Sequence, residues 1–199
     1  MKPLLFILFI IGSMATSCHV SNSHKSLFSK GVSKNEYYNY VTSLNNGLLK
    51  EFTSNNFAFL LQYKPLEFEA LNSIIDTLTE SEFDSILNLK RGYQYFTLSI
   101  QGKNSSTAEN DKISEYLSFL PNENITLCDS LDTIPSLGTH YISPVIKSQP
   151  HKVLLFFKDS GLKNHFSVRF QSNMERVEIV NFNFKKEEIN RVPKLNIQG

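Results

Sequence analysis

From residue 33 onward, apolar positions recur first with a helical period and later with the two-residue period of strands. Ser33-Lys34-Asn35-Glu36 has the form of a capping box, in which hydroxyl and carboxylate each answer a free backbone N–H. Tyr37, Tyr40, Val41 and Leu44 follow at helical spacing, and Gly47 is placed to end that helix. Leu48 to Thr53 and Phe57 to Tyr63 flank Ser54-Asn55-Asn56 as a β-hairpin, with Phe57, Phe59, Leu61 and Tyr63 on one face. Pro65 suits the first turn of a second helix, whose stripe is Leu71, Ile74, Ile75 and Leu78. Thr79-Glu80-Ser81-Glu82 is another capping box, opening a short helix with Phe83, Ile86 and Leu87 inward; Gly92 breaks it. Tyr93 to Ile100 alternates as a strand, Gly102 to Ser106 reads as a loop, and a further helix is predicted from Ala108 to Leu120, stopped by Pro121.

Beyond Pro121 the period is that of strands. Ile125 to Asp129, Thr139 to Ile142, Lys152 to Lys158, His165 to Gln171 and Arg176 to Phe184 are the candidates. Val153 to Phe157 is apolar on both faces and suits a central strand, whereas Phe166, Val168 and Phe170 alternate with Ser167, Arg169 and Gln171, as in a strand wet on one side. Short connections between these strands favour antiparallel pairing. The predicted class is therefore α+β, an antiparallel sheet mostly from the C-terminal half packed by helices from the N-terminal half. Residues 33–199 read as one domain, with no internal repeat.

The opening residues follow another pattern. Met1-Lys2-Pro3 leads into the apolar run Leu4 to Ile11, then Gly12-Ser13-Met14-Ala15-Thr16-Ser17 and Cys18. One cation, a short apolar core and a small-residue site make an export signal over residues 1–17. The apolar stretch falls short of the roughly 20 residues a helix needs to cross a bilayer. Ala15-Thr16-Ser17-Cys18 resembles the lipobox of bacterial lipoproteins, with Ala where the commonest form has Leu. The resemblance implies a diacylglycerol on the Cys18 thiol and cleavage that makes Cys18 the new N-terminus. Residues 18–32, rich in Ser and Lys, then serve as a tether spanning on the order of 20 Å as a flexible coil. Cleavage after Ser17 by the ordinary signal peptidase is the alternative; it would free the chain and permit a Cys18–Cys128 disulfide.

Composition changes this picture little. A net charge of +1, from 20 basic and 19 acidic residues, provides no field for nucleic acid. Sixteen Phe and eight Tyr with no Trp predict an aromatic core or, alternatively, a cavity for apolar ligands lined by residues such as Phe59, Phe96 and Phe157. The chain has no zinc-protease, nucleophile-elbow, phosphate-loop or calcium-loop motif, so no cofactor or metal is expected. The one thiol candidate is Cys128, which would need His140 beside its sulfur to act as a nucleophile. Asp76-Thr77-Leu78, Asp84-Ser85-Ile86, Asp129-Ser130-Leu131 and Asp132-Thr133-Ile134 share the form Asp, hydroxyl residue, aliphatic. That form resembles the acceptor pattern of protein O-glycosylation in Bacteroidota, which makes Thr77, Ser85, Ser130 and Thr133 candidate acceptors, with Ser130 and Thr133 in a turn ending at Pro135. The same aspartates would serve equally as helix and turn caps. Lipoproteins of that phylum bound for the cell surface carry acids just after the cysteine; His19-Val20-Ser21-Asn22-Ser23 has none, so the expectation is a periplasm-facing outer-membrane anchor. The function expected is that of a non-enzymatic binding or accessory subunit of an envelope assembly, reaching the membrane through Cys18 and a protein partner through its domain.

Overall fold

A computed structural model describes residues 31–197 apart from 55, 74–78, 104–105, 130–131, 147, 162–163 and 173–178. The elements are, in chain order, α1 (Lys34–Thr42), β1 (Leu49–Thr53), β2 (Phe57–Lys64), α2 (Leu66–Asn72), α3 (Glu80–Lys90), β3 (Tyr93–Gly102), α4 (Thr107–Ser118), β4 (Ile125–Asp129), β5 (Thr133–Pro135), β6 (Gly138–Ile142), β7 (His151–Lys158), β8 (His165–Gln171), β9 (Ile179–Lys185) and α5 (Lys186–Asn190). Both predicted capping boxes form. Ser33 N–H donates to Glu36 Oε2 at 3.0 Å, and Thr79 N–H to Glu82 Oε2 at 2.9 Å. A third, Ser106 with Glu109, opens α4 at the end of the segment read as a loop.

The class is α+β, and the strands form two antiparallel sheets, of order β1-β2-β3-β7-β6 and β5-β4-β8-β9. As the strand pattern predicts, the C-terminal half supplies most of the sheet, six of the nine strands among the described residues; β1, β2 and β3 add most of one sheet, and each sheet's main cover is the other. The reason lies in the size of the apolar faces. Helix α1 buries Tyr37 and Val41, α2 buries Phe68 and Ala70, and α3 buries only Phe83. Such stripes cannot cover Phe166, Val168 and Phe170 of β8 together with Val180, Phe182 and Phe184 of β9, so the sheets close on one another. Rings meet across the interface, Phe59 with Phe170 at 6.1 Å and Phe96 with Phe184 at 5.7 Å. The run Val153–Phe157 does lie centrally, β7 pairing with β3 on one side and β6 on the other.

Helix α4 adds Ile113 and Leu117 to this core. A second cluster gathers Val32, Tyr37, Val41, Leu48 and Phe68 where β3 begins, and Val32 bridges to Leu195. Leu44, expected on the stripe of α1, is exposed, because the helix stops at Thr42 and Ser43 takes an extended conformation before a single 3-10 turn. Gly47 ends that turn at φ 82°, a conformation that strains any residue with a Cβ. Residues 133–135, expected in a turn, form the short edge strand β5. After Lys185 the chain turns into α5, where Glu188 Oε2 lies 2.9 Å from Lys50 Nζ and ties β1 to the end of β9.

Candidate functional site

Alternation along the four-stranded sheet sends the aromatic residues inward and leaves a polar outer face. Register places Thr133, Cys128, Ser167 and Asn183 in one row across β5, β4, β8 and β9. His165 and Lys185 are paired in the next row toward one end of the strands, and Thr126, Arg169 and Asn181 lie in the row toward the other. Short side chains thus form a floor between longer, basic walls. Most of these residues, with Lys50, Asp129, Phe166 and Phe184, line an open depression of about 550 Å³. Arg169 Nε donates to Asn181 Oδ1 at 3.4 Å, and Asp129 Oδ1 accepts from Asp132 N–H at 2.9 Å in the β4–β5 turn.

Cys128 is half-buried in this floor, and the side chains that meet its sulfur are Thr126, at 3.6 Å, and Thr133, whose hydroxyl donates to it from 3.8 Å. His140 pairs with Leu154 on the outer face of the five-stranded sheet, so it and Cys128 point away from each other on opposite sides of the molecule. The structure does not form the thiol–imidazole pair. Cys128 sits outside the apolar face because its neighbours Ile125 and Leu127 take the inward positions.

Among the candidate acceptors, Thr133 and Ser85 are exposed, and the Ser85 hydroxyl donates to the Ser81 carbonyl at 2.9 Å along α3. Cys18, Thr77 and Ser130 lie outside the described residues. Phe59, Phe96 and Phe157, considered as lining for a ligand cavity, are all at most 2% exposed and belong to the core between the sheets.

A polar cluster that the hydrophobic pattern of the sequence does not reveal is buried at the corner where α4 covers β6 and β7. The Tyr141 hydroxyl lies 2.8 Å from His151 Nδ1 and 2.9 Å from Ser114 Oγ, while His151 Nε2 faces Asn110 Oδ1 at 3.5 Å. Asn110 and Ser114 are one helical turn apart on α4, and His151 opens the inward stripe of β7 that continues with Val153, Leu155 and Phe157. A histidine heading an apolar stripe was the available signal, but a strand start placed at Lys152 hid it. A hydroxyl, an imidazole and an amide in series are parts of a nucleophile–base relay. Here, however, the imidazole is 2% exposed and its Nδ1 is occupied by the tyrosine, so the group reads as a clasp holding α4 to the sheet.

Burial holds the His151 pKa below its ordinary value of 6.5. With a depressed folded value, the unfolded chain binds the extra proton first, so this stabilisation is complete above pH 6.5 and is lost as pH falls toward the folded value. The urea midpoint is expected to drop between pH 7.5 and pH 5.5, and His151→Gln should reduce that drop. An unchanged midpoint in the native chain, or an equal drop in the variant, would show that the clasp carries no such linkage.

Elsewhere, the tip of the β6–β7 connection is apolar and open to solvent: Val145 is 94% exposed, Ile146 59% and Ile142 41%. Among the described residues, no three of His, Cys, Asp and Glu converge in a way that could hold a metal ion, and no helix is long and apolar enough to cross a membrane.

No protein-family model matches the chain, and no curated protein matches it. Two solved structures are similar to it. One is a protein of unknown function from Burkholderia pseudomallei K96243, 10% identical, covering 81% of this chain and 91% of that one, with a TM-score of 0.42. The other is a DUF4426 family protein from Pseudomonas aeruginosa PAO1, 11% identical, covering 69% of this chain and 94% of that one, with a TM-score of 0.37.

Proposed function

We propose that the chain is a non-enzymatic envelope lipoprotein, anchored through Cys18 to the inner leaflet of the outer membrane, whose domain is a binding or accessory subunit of a periplasmic assembly. The observation that carries the protein-contact part is the exposed apolar tip Ile142, Val145 and Ile146. Clustered exposed apolar side chains mark sites of contact with proteins or membranes. The position of the tip favours a protein. Val32, where the tether meets the fold, packs with Leu48 beside the start of β3, whereas the β6–β7 connection lies at the other end of that sheet, beyond Ile100 and His151. Strands of about eight residues rise on the order of 25 Å, so the tip faces away from the anchored end.

Co-purification after mild solubilisation tests this. The native chain is expected to bring down a partner, and Val145→Glu with Ile146→Glu should release it while leaving the fold intact. Recovery of a lone monomer under several solubilisation conditions, or retention of the partner by the double variant, would count against the reading. Thr133 and Ser85 stay the described candidates for glycan attachment, both being accessible, as an attached glycan requires.

A further inference from the structure

We propose that the outer face of the four-stranded sheet binds a phosphate monoester in the square formed by Ser167, Asn183, His165 and Lys185. Two directly facing pairs, Ser167 with Asn183 and His165 with Lys185, are neighbours on the same face of β8 and β9. Strands lie about 4.8 Å apart and alternate residues roughly 6.6 Å apart, so four donor-bearing side chains stand at the corners of an area the size of one phosphate group. A hydroxyl, an amide, an imidazole and an ammonium all have N–H or O–H groups to give.

These groups are unspent. Among the described residues, the side chains of Ser167, Asn183, His165 and Lys185 make no hydrogen bond or ion pair with another side chain. Other charges in the depression are already engaged, Lys50 by Glu188 and Asp129 by the β4–β5 turn. Arg169 adds a second cation beyond Ser167, only its Nε being held, by Asn181. The site is therefore locally basic on a chain whose net charge is only +1.

The geometry points to phosphate over carboxylate because donors approach from four corners, which suits three terminal oxygens on a tetrahedral centre better than two in a plane. A depression of about 550 Å³ leaves room for a small organic group on the ester oxygen, within the size range of small-molecule sites. Such an ester could be a soluble phosphorylated compound or a lipid headgroup; the chemistry recognised is the same.

Equilibrium dialysis of the full chain in detergent with radiolabelled inorganic phosphate tests the site. Saturable binding is expected, weakened about tenfold or more by Lys185→Ala, as loss of one charge-assisted hydrogen bond implies, and also weakened by Asn183→Ala. Both positions are exposed, so both variants should keep the circular-dichroism spectrum of the native chain. Displacement by glucose 6-phosphate at lower concentration than by dihexanoyl phosphatidic acid assigns a soluble ester, and the reverse order assigns a lipid headgroup. No saturable phosphate binding, or equal binding by the native chain and both variants, overturns the proposal. Because the readout uses neither the anchor nor a protein partner, its failure would leave the proposed function standing, and the converse also holds.

Discussion

Truncating Phe96 to alanine is expected to cost about 3–5 kcal/mol of stability, the usual range for removing a fully buried aromatic ring. Phe96 lies on β3, the middle strand of the five-stranded sheet, and is 1% exposed. Its ring meets Tyr63 at 5.3 Å and Phe157 at 5.7 Å within its own sheet, and Phe184 at 5.7 Å and Phe166 at 6.5 Å across the interface. One side chain thus joins both halves of the core, and the surrounding strands cannot collapse into the space without breaking register. Domains are stable by roughly 5–15 kcal/mol in total, so the variant should sit near the edge of folding. Urea denaturation of the two proteins measures the difference. A cost under about 1 kcal/mol, the scale of an ordinary surface change, would mean that the sheets do not rely on each other for cover.

Cys18→Ser is expected to have an all-or-none effect on a different property. If the lipobox is used, cells fed an alkyne fatty acid should label the native protein and leave the variant unlabelled, since an oxygen cannot replace the sulfur that takes the diacylglycerol. Cys128→Ser should keep full labelling, because the second cysteine lies in the sheet and has no part in anchoring. Cys18→Ser should also remain an uncleaved precursor. Two or more acyl chains hold a protein firmly, where one alone binds reversibly at about 0.8 kcal/mol per buried methylene. Labelling of Cys18→Ser to the native level would remove the anchor from the account.

Local physics made much of the fold readable. Capping boxes at Ser33 and Thr79, the turn at Gly92 and the alternation of β8 each depend on residues a few positions apart, and they form as read. What failed was pairing over distance. Nothing near Phe166 or Phe184 says that their cover is Phe96 rather than a helix, and the short stripes of α1, α2 and α3 became informative only when set against the area they would have to cover. The polar cluster was hidden for the same reason: Ser114, Tyr141 and His151 come from three elements up to 37 residues apart and share no motif. Cys128 and His140 show the opposite error. Twelve positions apart in sequence and chemically suited to each other, they end on opposite outer faces because β4 and β6 belong to different sheets.

The proposed envelope function depends on where the mature chain starts and what that first residue carries. Mass spectrometry of the N-terminal peptide, taken from membranes without reduction or base treatment, measures this directly. Cys18 as first residue, bearing a thioether-linked diacylglycerol, is the predicted result; an intact Met1, or Cys18 with a bare thiol or a disulfide to Cys128, would contradict it.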